Sequence, residues 1–221
     1  MITRSISKPE LFKVVDVRAR KTYHGCNQEW YTTEWQRRSG CGPSAASNII
    51  LYLSYTQAKP GFVKNCSSRE KCVSVMEELW ESVTPTLAGI PTTQMFYEAM
   101  MEYTNAHGLN LVYHVFDVPD NKYPRPRLAE AVTFIETALE KDVPVAFLNL
   151  SNGDEKKLDS WHWVTIISLE YSEAGTDAFV TILDEGLIKK INLALWYDTT
   201  TLGGGFVYFT VLLLLRGINQ I

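Results

Sequence analysis

The sequence lacks a hydrophobic run long enough to cross a membrane. Its longest apolar stretch, Phe206–Leu215, is about half of the ~20 residues that a membrane-spanning helix needs, so we interpret it as a buried strand. The N-terminus also lacks the apolar segment of a signal peptide. We therefore predict a cytoplasmic protein without a membrane span, and secretion stays open only if a leader has been removed.

The sequence also contains few cysteines and no excess of basic over acidic residues. Four cysteines in 221 residues are too few for a scaffold held together by disulfides. Because 21 Lys and Arg stand against 25 Asp and Glu, the net charge is −4, and nothing indicates binding to nucleic acid. We find no internal repeat and no low-complexity segment. Hydrophobic residues at 46% and charged residues at 21% are ordinary for a globular protein.

The periodicity of the sequence changes from helical to β-type along the chain. Residues 1–40 show no sustained periodicity, and we expect a partly extended N-terminal arm. Helices followed by antiparallel strands are typical of the α+β class. We therefore predict a single domain, 1–221, with a mainly helical lobe at 41–141, a mainly antiparallel sheet lobe at 142–221 and a cleft between them. The expected segments after the arm are a helix from Pro43, a helix Arg69–Val83, a helix capped by Thr92 or Thr93 that runs to about His107, a helix Leu128–Lys141, and strands Leu109–Phe116, Val143–Leu150, Trp161–Tyr171, Ala178–Glu185, Leu187–Asn192 and Phe206–Leu215.

The most informative segment, Gln36–Ser47, puts a cysteine at the start of a helix. Cys41 stands directly before Gly42 and Pro43, and a run of small and apolar residues with helical spacing follows. The unpaired N–H groups and the dipole at a helix N-terminus stabilise an anion, so a thiol there loses its proton more easily. Gly42 would let a substrate backbone approach closely. We therefore predict that Cys41 is a nucleophile, with its own N–H and the Gln36 amide as oxyanion donors.

A cysteine nucleophile needs a general base, and the sequence offers 4 histidines. His162 opens the strand-like segment 162–167, where a strand end would hold its ring firmly. The next strand-like segment ends with Asp184. Because adjacent strands are expected to be antiparallel, this carboxylate would lie beside the ring and orient it. We predict His162 as general base and Asp184 as its orienting residue.

The motifs around these residues resemble those of papain-like cysteine peptidases. The Cys-Gly-Pro helix start at 41–43, the His-Trp-Val-Thr-Ile segment at 162–166 and the Ile-Leu-Asp strand end at 182–184 follow one another in the order of that family. They are similar in particular to the bacterial peptidases that cut bacteriocin leaders after a double glycine. Each motif is short, and their common order is what makes the resemblance specific.

The resemblance implies a papain-like α+β fold and a thiol peptidase that needs no metal and no organic cofactor. It implies Cys41 as nucleophile, His162 as base, Asp184 as orienter and Gln36 as oxyanion donor, acting on a peptide or protein substrate. Gln36 precedes Cys41 by five residues, whereas six are more usual in the family. Gln28 is therefore the alternative oxyanion donor.

Simpler interpretations stay open for the same residues. Cys41 can be a small buried apolar residue, His162 a satisfied core histidine, Asp184 a turn residue and Gln36 a solvated loop residue. The function predicted first is a thiol hydrolase that cleaves amide bonds. The alternatives are an inactive papain-like module that binds a peptide or partner, and a thiol acyltransferase that uses the same triad. The pair Cys66 and Cys72 is expected to be structural, and its redox state is left open.

Overall fold

The computed structural model describes residues 1–57, 67–173 and 175–212. Within them the helices are α1 (Glu34–Ser39), α2 (Cys41–Thr56), α3 (Arg69–Trp80), α4 (Thr93–Ala106), α5 (Leu128–Glu140) and α6 (Leu193–Thr199). The strands are β1 (Ile2–Ser5), β2 (Lys13–Asp16), β3 (Lys21–His24), β4 (Leu111–Val118), β5 (Val145–Asn149), β6 (His162–Tyr171), β7 (Ala178–Asp184), β8 (Leu187–Asn192) and β9 (Gly204–Val211).

Seven of these strands form one antiparallel sheet. Its order is β4-β9-β5-β6-β7-β8, and β1 pairs with the C-terminal half of β6. The strands β2 and β3 form a separate hairpin. Helix α2 packs against β6 and β5, at the centre of the sheet. The fold class is therefore α+β, as expected, with the cysteine-bearing helix on an antiparallel sheet.

Helix α2 is buried nearly all round, although its sequence predicts one broad apolar face. Residues Gly42 to Ser54 are all buried. The helix tolerates this largely because two of its serines bond to its own backbone: the Oγ of Ser47 donates to the carbonyl of Pro43, and the Oγ of Ser54 donates to that of Ile50, whereas the buried Oγ of Ser44 has no hydrogen-bond partner among the described residues. Asn48 bonds to neighbouring segments. Since buried polar groups cost stability only when they are unpaired, the paired polar positions of α2 can face the interior.

The main helices and strands predicted after residue 41 are present, with ends that differ by a few residues; the predicted end of the last strand, at residues 213–215, lies outside the described residues. The N-terminal arm is more regular than its sequence indicates, because β1 completes the main sheet and β2 and β3 form a hairpin. Helix α6 has no counterpart among the predicted segments. Its cap is Asn192, whose side chain accepts from the N–H of Leu195. The division into an arm and two lobes stays a prediction.

None of the helices in the described part of the chain combines the length and the apolar character needed to span a bilayer. The predicted pairing of Cys66 with Cys72 lies outside the described residues, because Cys66 does.

Candidate active site

Cys41 is the first residue of α2 and is half-buried. Its amide therefore belongs to the first turn of the helix, where N–H groups have no partner within the helix. The next residue is a glycine for a packing reason. A Cβ on Gly42 would come within 2.7 Å of the Cδ1 of Ile90, so the small residue allows the loop before α4 to contact α2. Close approach of a substrate backbone to Gly42 stays a prediction.

His162 and Asp184 are brought together by strand register. The strands β6 and β7 pair Thr165 with Leu183, so Asp184 lies diagonally across from His162 at the same end of the sheet. The Nε2–H of His162 donates to the Oδ1 of Asp184 at 2.7 Å, and both side chains are buried. The predicted pair of an imidazole and a carboxylate is therefore present in the structure.

The other ring nitrogen of His162, Nδ1, is not used by Asp184, and the side chain of Cys41 is near enough to the ring to interact with it electrostatically. The side chains of Cys41, His162 and Asp184 line one small cavity of about 10 Å³. Burial lowers the pKa of His162, but the hydrogen bond with Asp184 and the interactions with Cys41 outweigh it and raise this pKa to about 10. The arrangement favours the imidazolium form of His162 beside the sulfur.

Asp184 has a second cationic partner that the sequence did not indicate. The Nζ of Lys189 donates to the Oδ2 of Asp184 at 2.6 Å. Burial raises the pKa of Asp184, but the hydrogen bonds and charges of His162 and Lys189 prevail and hold it below its ordinary value. The carboxylate thus stays ionised between two cations.

Gln36 is not brought together with the other three predicted residues. Its Oε1 accepts from the N–H and the hydroxyl of Thr33, which closes a capping box at the start of α1. Its Nε2 donates to the Oε2 of Glu77 on α3 at 2.5 Å. This amide therefore caps a helix and joins α1 to α3. The geometry gives no support to its role as oxyanion donor, because both ends of the amide are already engaged.

Gln28, the alternative donor, lines the same small cavity as Cys41 and His162. Its position is fixed by the residue before it. The Nδ2 of Asn27 donates to the carbonyl of Glu185 at 2.8 Å, and its Oδ1 caps the short 3₁₀ turn that Gln28 begins. The turn that carries Gln28 is thus tied to the strand end that carries Asp184. No signal in the sequence indicates this, since 158 residues separate Asn27 from Glu185.

A larger cleft of about 390 Å³ opens beside Cys41. Most of its lining is apolar, and the one charged side chain among its lining residues is Arg38 at the rim. The lining residues are Arg38, Ser39, Cys41, Leu87, Ala88, Gly89, Ile90, Pro91, Leu148, Leu150, Trp161 and Trp163. A cleft of this volume and lining is large enough for a bulky apolar group.

Two tryptophans flank His162, and only one of them fills the core. Trp163 is buried, stacks on Phe96 with ring centroids 4.3 Å apart, and donates its Nε1–H to the carbonyl of Ile90 at 2.8 Å. Trp161 is 58% exposed at the rim of the cleft. Its φ of 57° is in the left-handed region, which is costly for a bulky residue and is found mostly where the surrounding structure imposes it. Trp161 therefore does not belong to the core.

The segment before Trp161 is anchored by a fully buried amide at the end of β5. The Nδ2 of Asn149 donates to the carbonyl of Asp159 at 2.7 Å, and its Oδ1 accepts from the Nε1–H of Trp196 at 2.7 Å. Asn149 also pairs with His162 in the sheet. One buried side chain thus fixes the path of the chain into the strand that carries His162.

The chain matches no protein-family model and none of the curated proteins. Among solved structures it is similar to UfSP from C. elegans, with 10% sequence identity and a TM-score of 0.49. The likeness covers 94% of this chain and 34% of the other. The chain thus spans about a third of the length of that structure's chain.

Proposed function

We propose that this chain is a papain-like thiol hydrolase that cleaves amide bonds in a peptide or protein. The observation that carries the proposal is that Cys41, His162 and Asp184 line one small cavity. Nε2 of His162 donates to the buried carboxylate of Asp184 at 2.7 Å, and Cys41 stands at the start of α2 beside the same ring. A sulfur, an imidazole and a carboxylate in this order are the groups that a thiol nucleophile needs.

In the proposed reaction, His162 has already taken the proton of the Cys41 thiol, and the sulfur attacks the carbonyl carbon of the scissile amide. The C–N bond then breaks, and the leaving nitrogen takes the proton from the imidazolium. Water next attacks the thioester and gives a proton to His162. The C–S bond breaks, the carboxylic acid leaves, and His162 keeps the proton, which restores the starting state. Asp184 stays ionised throughout and holds the ring.

The oxyanion formed at each attack needs donors beside the sulfur. The N–H of Cys41 is one, because it lies in the first turn of α2. For the second donor we propose the amide of Gln28, which lines the cavity shared by Cys41 and His162. Gln36 is the less suitable donor, since its Nε2 is bonded to Glu77.

The apolar cleft supports an extended peptide as the substrate. It adjoins Cys41, and Trp161 and Leu87 stand exposed at its rim. We propose that it receives a large apolar side chain near the scissile bond. Cleavage after a double glycine, as in the bacteriocin-leader branch, rests on the short sequence motifs alone and remains a finer proposal.

The proposal is tested first by the reactivity of Cys41, which requires no known substrate. The protein is treated with iodoacetamide in mildly acidic buffer, and alkylation of Cys41 is followed by peptide mass spectrometry. We expect His162→Ala to slow this alkylation about tenfold or more, because the imidazolium that stabilises the thiolate is lost. His114→Ala is the matched control, since His114 stacks on Tyr208 and lies in β4, at an edge of the sheet. Equal rates in the wild type and His162→Ala would contradict the proposal.

Cleavage is tested separately on a mixture of denatured proteins, with Cys41→Ala as the comparison. Cleavage products that require Cys41 support a peptidase. Rapid alkylation of Cys41 without such products would instead indicate a binding module. Products joined to an added amine would indicate an acyltransferase.

A further inference from the structure

We propose that Lys189 is a positioning residue that fixes the Asp184 carboxylate and, through it, the ring of His162. This inference rests on the proposed function, and it adds a fourth side chain to the Cys-His-Asp arrangement.

The two oxygens of Asp184 are divided between two cationic partners. Oδ1 accepts from the Nε2–H of His162 at 2.7 Å, and Oδ2 accepts from the Nζ of Lys189 at 2.6 Å. The Asp184 side chain is only 1% exposed, so water cannot readily replace either partner. With Oδ2 held by the ammonium group, rotation of the carboxylate would break a short charged hydrogen bond. The plane of the carboxylate, and with it the direction of Oδ1, is therefore fixed.

The β7–β8 hairpin places this lysine where it can reach the carboxylate. Its register pairs Asp184 with Leu187 and Ile182 with Lys189, so Asp184 and Lys189 lie on the same face and on a diagonal. Glu185 and Gly186 form the turn with φ values of 49° and 75°, the left-handed pair that closes a two-residue hairpin tightly. A tight turn leaves little freedom in the register. The orienting carboxylate and its cation are thus supplied by one short hairpin.

The charges around Lys189 favour its ammonium form. Burial lowers the pKa of Lys189, but Asp184, with smaller effects from Asp159 and Glu185, raises it above its ordinary value. On the far side of Asp184 stand His162, on β6, and Cys41, on α2. A cation at this place offsets the negative charge of the carboxylate. Its loss would free the carboxylate to rotate and the ring of His162 to turn away from Cys41.

The test compares Lys189→Met with Lys190→Met in the full chain. Lys190 is the matched control, because it neighbours Lys189 on β8 and makes a similar ion pair of 2.7 Å, but with the partly exposed Glu170. We expect Lys189→Met to slow alkylation of Cys41 by iodoacetamide about three- to tenfold. We also expect exchange of the His162 Nε2–H proton, followed by proton NMR, to become about tenfold faster. Lys190→Met should change neither.

Conservative variants separate positioning from simple stabilisation. Lys189→Arg retains the charge and the donors, so it should restore both readouts in large part. Lys189→Gln retains a donor without the charge and serves if the methionine variant does not fold. A folded Lys189→Met or Lys189→Gln protein with wild-type alkylation and proton exchange would overturn the inference, even if its melting temperature fell. If alkylation of Cys41 in the wild type does not depend on His162, the proposed function fails instead, independently of Lys189.

Discussion

Replacing Asp184 by Asn removes one negative charge next to His162 and leaves the shape of the side chain nearly unchanged. The amide oxygen can still accept from Nε2–H, so the hydrogen bond of 2.7 Å is retained in form. What is lost is the attraction between carboxylate and imidazolium. At a charge separation of about 4 Å and an effective dielectric constant of about 20, this attraction is ~4 kcal/mol. Since one pKa unit corresponds to ~1.4 kcal/mol, the loss amounts to about three units.

The pKa of His162 should therefore fall from about 10 to near or below its ordinary value of 6.5 in the Asp184→Asn protein. Burial acts in the same direction, because it disfavours the imidazolium. At neutral pH the variant would then hold mostly neutral imidazole, and alkylation of Cys41 should slow by at least tenfold. Titration of the His162 ring by NMR measures the shift directly. A midpoint that moves by less than about one unit in a folded variant would refute this electrostatic account of the site.

The same shift has a consequence for stability. Because the pKa of His162 is raised in the folded state to about 10, above the value of about 6.5 expected in the unfolded chain, its protonation stabilises the fold. This contribution is complete below about pH 6.5 and is lost as the pH rises through about 10. Asp184→Asn should largely remove this dependence. The double variant Asp184→Asn with Lys189→Met is the control, since Asn alone leaves the ammonium group of Lys189 without its carboxylate.

Two further predictions concern the amides around the site. Gln28→Ala should lower the rate of substrate cleavage about 10²- to 10³-fold and change the stability little, because it removes the proposed oxyanion donor. Gln36→Ala should lower the free energy of unfolding by about 0.5–2 kcal/mol, because it removes the helix cap, and should leave the cleavage rate of the folded protein unchanged. Chemical denaturation and steady-state kinetics separate the two, and the opposite pattern would return the oxyanion role to Gln36. Asn149→Ala should lower the free energy of unfolding by about 1–3 kcal/mol, because it leaves the carbonyl of Asp159 without its donor and removes one of the two acceptors of the Nε1–H of Trp196, the other being the carbonyl of Ser151; an unchanged free energy of unfolding would show that this amide is not a structural anchor.

The sequence was sufficient to predict those parts of the site that depend on local signals. Cys41 precedes Gly42 and Pro43 in a run with helical spacing, so its place at the start of α2 is encoded within a few residues. His162 and Asp184 each stand at the end of a β-type segment, and pairing of neighbouring strands is enough to bring them together. The α+β class follows from the order of the same segments.

The remaining features depend on contacts that no short segment contains. Lys189 reaches Asp184 only because of the register of one hairpin, and Gln28 reaches the cavity only because Asn27 bonds to Glu185. Gln36 is different, because the sequence does carry a signal for its role. Thr33 and Gln36 have the spacing of a capping box, Thr-x-x-Gln, which indicates a helix start rather than an oxyanion donor.

The chemical groups and the walls of the cleft differ in how they are held. The central helix carries Cys41, and two inner strands of the sheet carry His162 and Asp184. Moving any of these side chains out of place would require disruption of the core. One wall of the cleft, residues 87–91, is a connecting segment, and the Nε1–H of Trp163 joins it to β6 by a hydrogen bond to the carbonyl of Ile90. We therefore expect changes in this segment to alter which side chain the cleft accepts at little cost to the positions of the proposed reactive groups.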